Sequence, residues 1–411
     1  MAGPEADGRH RTTVAVFVGT RADLGPLSPV LEALATADDL DLLVLTGVMY
    51  AADDLAAALP AVLTREAWRE RVVPLAEPMT TVTVATQLEQ GAVIARAAGE
   101  VLGRVGADAL VVLGDRWELL YVVPPAFLLG VPVVHLHGGE ITEGAVDERI
   151  RHAVTKLADQ HCVASEESAV RLRQMGEPAD RVHVTGAPGL DRLAAAEPLD
   201  DAALAGLVGV EALERPFALF TYHPPTAQPG APVGVWAREA LEATLAAAGT
   251  VVATHPGMDE GREAIIAALE EVAAREPRLR VVEALGRDYP RVLASADVVV
   301  GNSSSGVIEA ASVHVPAVDV GERQRGRLRG ANVAHADEGR ASVEAAVRAS
   351  LTPAARERAR ATTNPYGAGE ASGRILAIVR GAGTAPRVKR FVDLPVHGGA
   401  APASPTGEED R

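Results

Sequence analysis

The 411-residue chain predicts an α/β protein made of two Rossmann-like domains facing across a cleft. Three observations predict it. Short apolar runs, each ending in glycine or a polar cluster, recur along the chain and read as buried strands. Segments with apolar residues at helical spacing lie between them, which implies parallel sheets covered by helices on both faces. The pattern stops at a connector, Ala187-Pro-Gly-Leu-Asp191, and then restarts over a similar length.

Taken in order, residues 1–12 read as a flexible tail. Thr13 to Val18 is a strand ending in Gly19-Thr20-Arg21, and Leu24 to Leu34 repeats at helical spacing. Leu40 to Thr46, Ala109 to Leu113 and Val131 to Leu136 are further strands, and His183 to Gly186 closes the first half. Residues 13–190 are therefore expected to form the first domain. Phe217 to Tyr222, Thr250 to Thr254, Arg280 to Val282, Val298 to Val300 and Ala317 to Val320 carry the second, over 191–365. Pro365 to Gly369 breaks the chain before a last helix, 366–385, expected to return to the first domain. Residues 394–411 are rich in Gly, Pro, Ala and acid and read as a second flexible tail.

Composition narrows the function. The formal charge of −16 argues against nucleic acid or an anionic membrane as partner. Cys162 is the only cysteine, so no disulfide framework or cysteine metal site can form within the chain, and a reducing cytoplasm is the expected location. The N-terminus carries no apolar signal region. The longest apolar run, Tyr121 to Leu136, is interrupted by Pro124, Pro125, Gly130 and Pro132 and reads as helix, turn, strand rather than a membrane span.

Polar residues cluster where predicted strands end, which is where open α/β sheets bind ligands. The most informative cluster is Val299-Val-Gly-Asn-Ser-Ser-Ser-Gly-Val-Ile-Glu309. A helix starting after this strand aims unpaired N–H groups and three hydroxyls at one spot, which suits phosphate; serine capping alone is the other reading. Glu309 is expected on the first turn, where it can accept from vicinal sugar hydroxyls. Arg21 suits a diphosphate clamp or a pair with Asp23. Asp115 suits a general acid or base, or a helix N-cap. His135-Leu-His137-Gly-Gly-Glu140 reads as two histidines pointing one way along a strand, then a carboxylate. Zinc ligation and a metal-free acid–base surface both fit that pattern. Asp147 is either part of that surface or a first-turn acid of the helix running to Leu157. His223 sits in a stiff loop before Pro224-Pro225, and His255 ends another strand. Among Arg323, Arg325, Arg327 and Arg329, at least one is expected to face bound phosphate.

These residues resemble a family. Gly19-Thr-Arg-Ala-Asp23, Leu113-Gly-Asp-Arg116, His135 to Asp147, Arg151-His-Ala-Val-Thr-Lys156, Gly186 to Asp191, Gly301-Asn-Ser-Ser-Ser-Gly306 and Gly321 to Arg327 are similar, in order, to the hydrolysing UDP-N-acetylglucosamine 2-epimerases of the sialic-acid-pathway type. The similarity runs from about residue 13 to 380. It implies a glycosyltransferase-B-like fold, a homodimer with hinged closure, and a reaction without metal or other cofactor. Anti elimination of UDP gives a 2-acetamidoglucal, and water then adds to release N-acetylmannosamine. It also implies acid–base roles for Asp115 and Asp147, and a place for His223 near the glycosidic phosphate. Diphosphate contacts fall to Arg21, Ser303, Ser304 and Arg323, and the ribose contact to Glu309. Arg116, His255, Ser305 and Gly306 complete the expected UDP site.

The chain departs from the pattern twice. His137 stands where many relatives carry an acid–base glutamate, so His137 or Glu140 has to take that part. Met49 replaces a family histidine. Both changes fall where the sugar is expected, which leaves a modified hexosamine such as UDP-2,4-diacetamido-trideoxyhexose open as substrate. A non-hydrolysing epimerase, a true glycosyltransferase and a catalytically silent UDP-sugar-binding protein are the other readings.

Overall fold

The apolar runs pair into two wholly parallel sheets in a computed structural model that describes residues 11–59 and 71–394. The side chains of Arg21 and Ala57 are also outside the described part. Most of both expected tails lies outside the described residues.

The first lobe holds β1 (Thr12–Phe17), β2 (Leu40–Thr46), β3 (Val72–Pro74), β4 (Ala109–Leu113), β5 (Val133–Leu136), β6 (Gln160–Val163) and β7 (Val182–Val184), in the order β3-β2-β1-β4-β5-β6-β7. The second holds β8 (Phe217–Thr221), β9 (Thr250–Thr254), β10 (Leu279–Val282), β11 (Val298–Gly301), β12 (Ala317–Val320) and β13 (Val333–Ala336), in the order β10-β9-β8-β11-β12-β13. Strand order therefore reverses between β1 and β4 in one lobe and between β8 and β11 in the other. At such a switch point the flanking connections leave in opposite directions and open a crevice at the strands' C-terminal ends. Gly19, Asp115, His223 and Asn302 all follow these four strands. The sheet order thus places the site.

The β8–β11 switch needs a glycine. Gly301 has a φ of 131°, and a Cβ there would overlap the Thr221 carbonyl of the neighbouring strand. Any side chain at this position would push β11 off β8.

Apolar side chains fill both faces of each sheet. Val14, Val16, Leu27 and Leu31 lie on one face of the first lobe, and Ala15, Ile94, Val112 and Val122 on the other. The helix Ala371–Ala382 inserts Ile375 and Val379 into the first of these layers. Each buried aliphatic chain there contributes about 1.5–3 kcal/mol. Asp191 starts that helix by accepting from the backbone N–H groups of Ala371 (2.9 Å) and Ser372 (2.7 Å). The connector between lobes is thus also the cap of the helix that returns to the first.

The sequence reading overlooks three strands. β3 has three residues, β6 reads Gln-His-Cys-Val and β13 reads Val-Ala-His-Ala. The first is too short for periodicity to register, and the other two carry polar residues that only tertiary partners bury or pair. Tyr121 to Leu136 resolves as a helix (Leu119–Leu129), a Gly130 cap with φ 69° and β5. Among the described residues no helix is long and apolar enough to cross a membrane.

Candidate active site

Asp115 stands just after β4, where Gly114 turns the chain with a φ of 76°. Arg151, one turn into the helix Asp147–Leu157, reaches back to hold it. Its Nη2 donates to Asp115 Oδ2 and, at 2.9 Å, to Thr142 Oγ1, while Nη1 donates to the Glu140 carbonyl at 2.7 Å. Arg151 is 1% exposed, so this guanidinium is a buried brace tying Asp115 to the loop that follows β5.

That loop corrects the expected pair of aligned histidines. His137 takes the left-handed conformation, φ 61°, which breaks the strand's alternation and turns its ring away from the direction of His135. His135 is fully buried, with Nε2 against the Gly114 carbonyl (2.7 Å) and Nδ1 against Thr155 Oγ1 (3.3 Å). It orders the turn that carries Asp115. His137 Nδ1 instead lies 2.5 Å from Glu140 Oε1, and Glu140 Oε2 accepts from Arg327 of the second lobe at 2.9 Å. Burial works to raise the Glu140 carboxyl, but His137 and Arg327 outweigh it and hold it below the usual range. Both Glu140 oxygens are committed. The one three-ligand group among the described residues, Glu322, His335 and Asp337, is elsewhere and largely exposed, so the zinc reading of His135, His137 and Glu140 gains no support.

In the second lobe His223 is fixed from two sides. Its backbone N–H donates to Asn302 Oδ1 (2.6 Å) and its carbonyl accepts from Asn302 Nδ2 (2.8 Å). Gly257 N–H donates to His223 Nδ1 at 3.0 Å, which leaves the ring proton on Nε2. Burial, then the Arg323 guanidinium, pushes His223 down to about 3. It is a neutral hydrogen-bond donor at physiological pH. Arg323 Nη1 donates to the Asn302 carbonyl (3.1 Å), while its buried Nε has no protein partner. An arginine with an unsatisfied donor next to a neutral N–H donor suits an oxyanion.

The serine turn is shorter than expected. The helix Ser304–Ile308 has five residues and Glu309 caps its end, not its first turn. Ser303 Oγ is the N-cap and accepts from Ser305 N (3.4 Å), Gly306 N–H donates back to the Ser303 carbonyl (3.2 Å), and Ser304 is half-buried. Ser305 Oγ bonds the Tyr289 hydroxyl. Glu309 Oε1 accepts from Arg192 at 3.3 Å, and Arg192 lies over the Tyr289 ring. Arg192 and Tyr289 carry no motif of their own, and the sequence reading misses both. Asn302 belongs to the serine motif, yet its grip on His223 is visible only once β8 and β11 pair.

The lobes meet through polar contacts. Thr226 Oγ1 donates to Asp147 Oδ2 (3.0 Å), and Glu143 N–H donates to the Arg325 carbonyl (3.0 Å). Arg116, expected on UDP, donates to Asp259 Oδ1 (2.9 Å) and the Met258 carbonyl (3.2 Å), with Nε 3.5 Å from Glu118 Oε1. Burial raises Glu118 to about 7 against the pull of Arg116. His255 ends β9, half-buried, with its N–H on the Val282 carbonyl (3.1 Å). Arg21 opens the first helix, but its side chain lies outside the described part.

Burial also lowers His135 to about 3. The unfolded chain takes up this proton near pH 6.5, so stability is complete above that and falls as pH drops toward 3, by about 1.4 kcal/mol per pH unit. Because His223 adds to this fall and Glu118 opposes it, urea unfolding at pH 7, 6 and 5 is expected to show the His135 contribution as the difference in slope between the wild type and a His135→Gln variant.

Residues 77–380 match the family model described as UDP-N-acetylglucosamine 2-epimerase. A Legionella pneumophila protein named UDP-N,N'-diacetylbacillosamine 2-epimerase (hydrolyzing) is 33% identical, over 78% of this chain and 83% of its own. A Neisseria meningitidis UDP-N-acetylglucosamine 2-epimerase is 29% identical over 78% of this chain and 82% of its own. The solved structure of a UDP-GlcNAc 2-epimerase from Neisseria meningitidis bound to UDP-GlcNAc has the same fold, with a TM-score of 0.71 at 16% identity, covering 90% of this chain and 99% of that one. The two facing lobes are accordingly glycosyltransferase-B-like.

Proposed function

The chain belongs to the UDP-N-acetylglucosamine 2-epimerase family, and from that premise we propose that it is a hydrolysing member. In this reading it converts UDP-N-acetylglucosamine and water to N-acetylmannosamine and UDP. The observation that carries the reading is the pairing of opposed chemistries across one cleft. A braced carboxylate, Asp115, stands on the first lobe; a neutral His223 and a donor-rich Arg323 stand on the second.

Elimination removes the proton from C2 while the C1–O bond breaks, and the electron pair leaves on the UDP phosphate. His223 Nε2–H and Arg323 are suited to stabilise that developing charge. Because His223 is neutral, it donates a hydrogen bond and does not transfer a proton. The Ser303 and Ser304 hydroxyls supply further diphosphate donors, the Ser305 and Gly306 N–H groups being taken by Ser303, and the family resemblance adds Arg21. Glu309, oriented by Arg192, takes the ribose hydroxyls. In the second half water gives hydroxide to C1 and a proton returns to C2 from the other face. Asp115, Asp147 and the His137–Glu140 pair are the groups available to move those protons. Glu140 is the orienting partner and His137 the acid–base group, since an ionised Glu140 keeps the ring proton on Nδ1 and leaves Nε2 basic. Arg116 and Ser305 act through protein neighbours.

A second reading concerns the sugar. The Legionella relative's name specifies a diacetamido sugar, and Met49 offers an apolar side chain in place of the family's histidine. The test is incubation with UDP-N-acetylglucosamine, and separately with UDP-2,4-diacetamido-trideoxyhexose, in heavy water without acceptor. Free UDP and free sugar deuterated at C2 are expected with one of them. Deuterated sugar still linked to UDP would replace this reading with the non-hydrolysing one, and inertness toward both would end it.

A homodimer accompanies this proposal. The helix Leu119–Leu129 is apolar on all sides, yet Leu120, Phe127 and Leu128 are exposed, and so are Val84, Leu88, Val93 and Val105 along the adjoining helix Val84–Val105. A helix apolar all round calls for cover on both faces. Leu128→Glu is expected to shift the mass in light scattering from twice 42.6 kDa to 42.6 kDa. An unchanged mass would place the interface elsewhere.

A further inference from the structure

The Arg116–Asp259 pair is a well-buried ionic contact between the lobes. Arg116 leaves the end of β4, and its side chain is 13% exposed, that of Asp259 8%. It grips the loop after β9 at two points, Asp259 Oδ1 and the Met258 carbonyl. One residue earlier in the same loop, Gly257 N–H holds His223 Nδ1 at 3.0 Å. Asn302 fixes the His223 backbone, while among the described residues Gly257 is the one that hydrogen-bonds the ring.

We propose that Arg116 and Asp259 form a closure latch: when the lobes close, Arg116 clamps the Gly257–Asp259 loop, and Gly257 then holds His223 with its proton on Nε2, aimed at the leaving diphosphate. Both are positioning residues, and neither contacts the reacting atoms. The inference rests on the reading of His223 as the leaving-group donor. It explains why Arg116, which follows Asp115 directly, has its guanidinium spent on protein. Its Nη1 and Nη2 are on the second lobe, and its Nε leans on Glu118. It also accounts for a buried aspartate whose direct partner comes from the other lobe.

The test uses full-length protein labelled with ¹⁵N-histidine, the His223 signals being assigned by their loss in His223→Gln. With UDP bound, the wild type is expected to show one tautomer, Nδ1 unprotonated and Nε2 protonated. Asp259→Asn and, from the opposite lobe, Arg116→Gln are each expected to give a mixture of tautomers. Each is also expected to lower kcat about 10–100-fold with KM changed less than about threefold, and the double variant to be no worse than either single one. Arg116→Lys is expected to restore part of both signals. A single unchanged tautomer in both Asp259→Asn and Arg116→Gln overturns the latch whatever happens to activity. If the tautomer shifts as expected while no UDP-sugar is consumed by the wild type, the latch stands and the proposed reaction fails.

Discussion

Replacing Asp115 by asparagine is expected to lower turnover by about 10²–10⁴-fold, the usual loss when a general acid or base is removed. UDP is expected to bind as before. The two outcomes separate because most residues proposed to hold UDP sit on the second lobe, at Ser303, Ser304, Glu309 and Arg323, while Asp115 is held in the first by Arg151. Asparagine is the informative substitution. Arg151 is 1% exposed, and alanine would leave its guanidinium buried without the carboxylate that balances its charge, a loss of about 3–5 kcal/mol when one member of a buried ion pair is removed. The amide oxygen of asparagine still accepts from Nη2, so the brace and the β5 loop stay in place. Single-turnover UDP release and calorimetric UDP binding read the two effects independently, and a melting curve checks the brace. Near-normal turnover in Asp115→Asn would remove Asp115 from the chemistry and reduce it to an anchor for Arg151.

What the residues told in advance was which polar clusters end the strands, not how those clusters are wired. Asp115, His223 and Ser303 were legible because each polar cluster ends an apolar run, and parallel sheets put all such ends on one side. The wiring was not legible. Arg116 and Asp259 are 143 positions apart, and neither lobe alone brings them together. Asp259 ends the His255-Pro-Gly-Met-Asp stretch after β9, so the strand-end rule was enough to flag it, but nothing in that stretch names its partner. Glu309 was expected on a first turn because Val307, Ile308 and Ala310 keep helical spacing. The chain instead passes into a 3₁₀ turn over Ala310–Val313, and spacing does not distinguish these two over one turn. The aligned histidines failed for a backbone reason: period-two alternation holds only while the strand lasts, and His137 has already left it with a positive φ. A left-handed non-glycine residue in this place is the kind of local strain that tends to accompany function.

That strained residue carries the second large effect. His137→Ala is expected to reduce turnover by about 10²–10⁴-fold, and Glu140→Gln by an amount of the same order, although Glu140 is buried with both oxygens engaged. A carboxylate on Nδ1 fixes which ring nitrogen is basic, and replacing it by an amide lets the wrong tautomer form with the geometry intact. If the two residues act as one unit, their losses will not add, and the double variant His137→Ala/Glu140→Gln will resemble the worse single one. Glu140→Gln also weakens the charge pair with Arg327 at 2.9 Å, a contact between lobes, so a structural loss has to be separated from a chemical one. The pairing of His137→Glu with Glu140→Gln does this. It returns a carboxylate to the position of His137 while keeping the amide that weakens the Arg327 contact. Recovery of turnover to within about tenfold of the wild type would mean that the site needs a base at position 137 and only an orienting group at 140. No recovery, with Glu140→Gln alone as inactive as the double variant and partly unfolded, would mean that Glu140 matters as the clamp on Arg327 and that the proton at C2 is moved by Asp115 and Asp147.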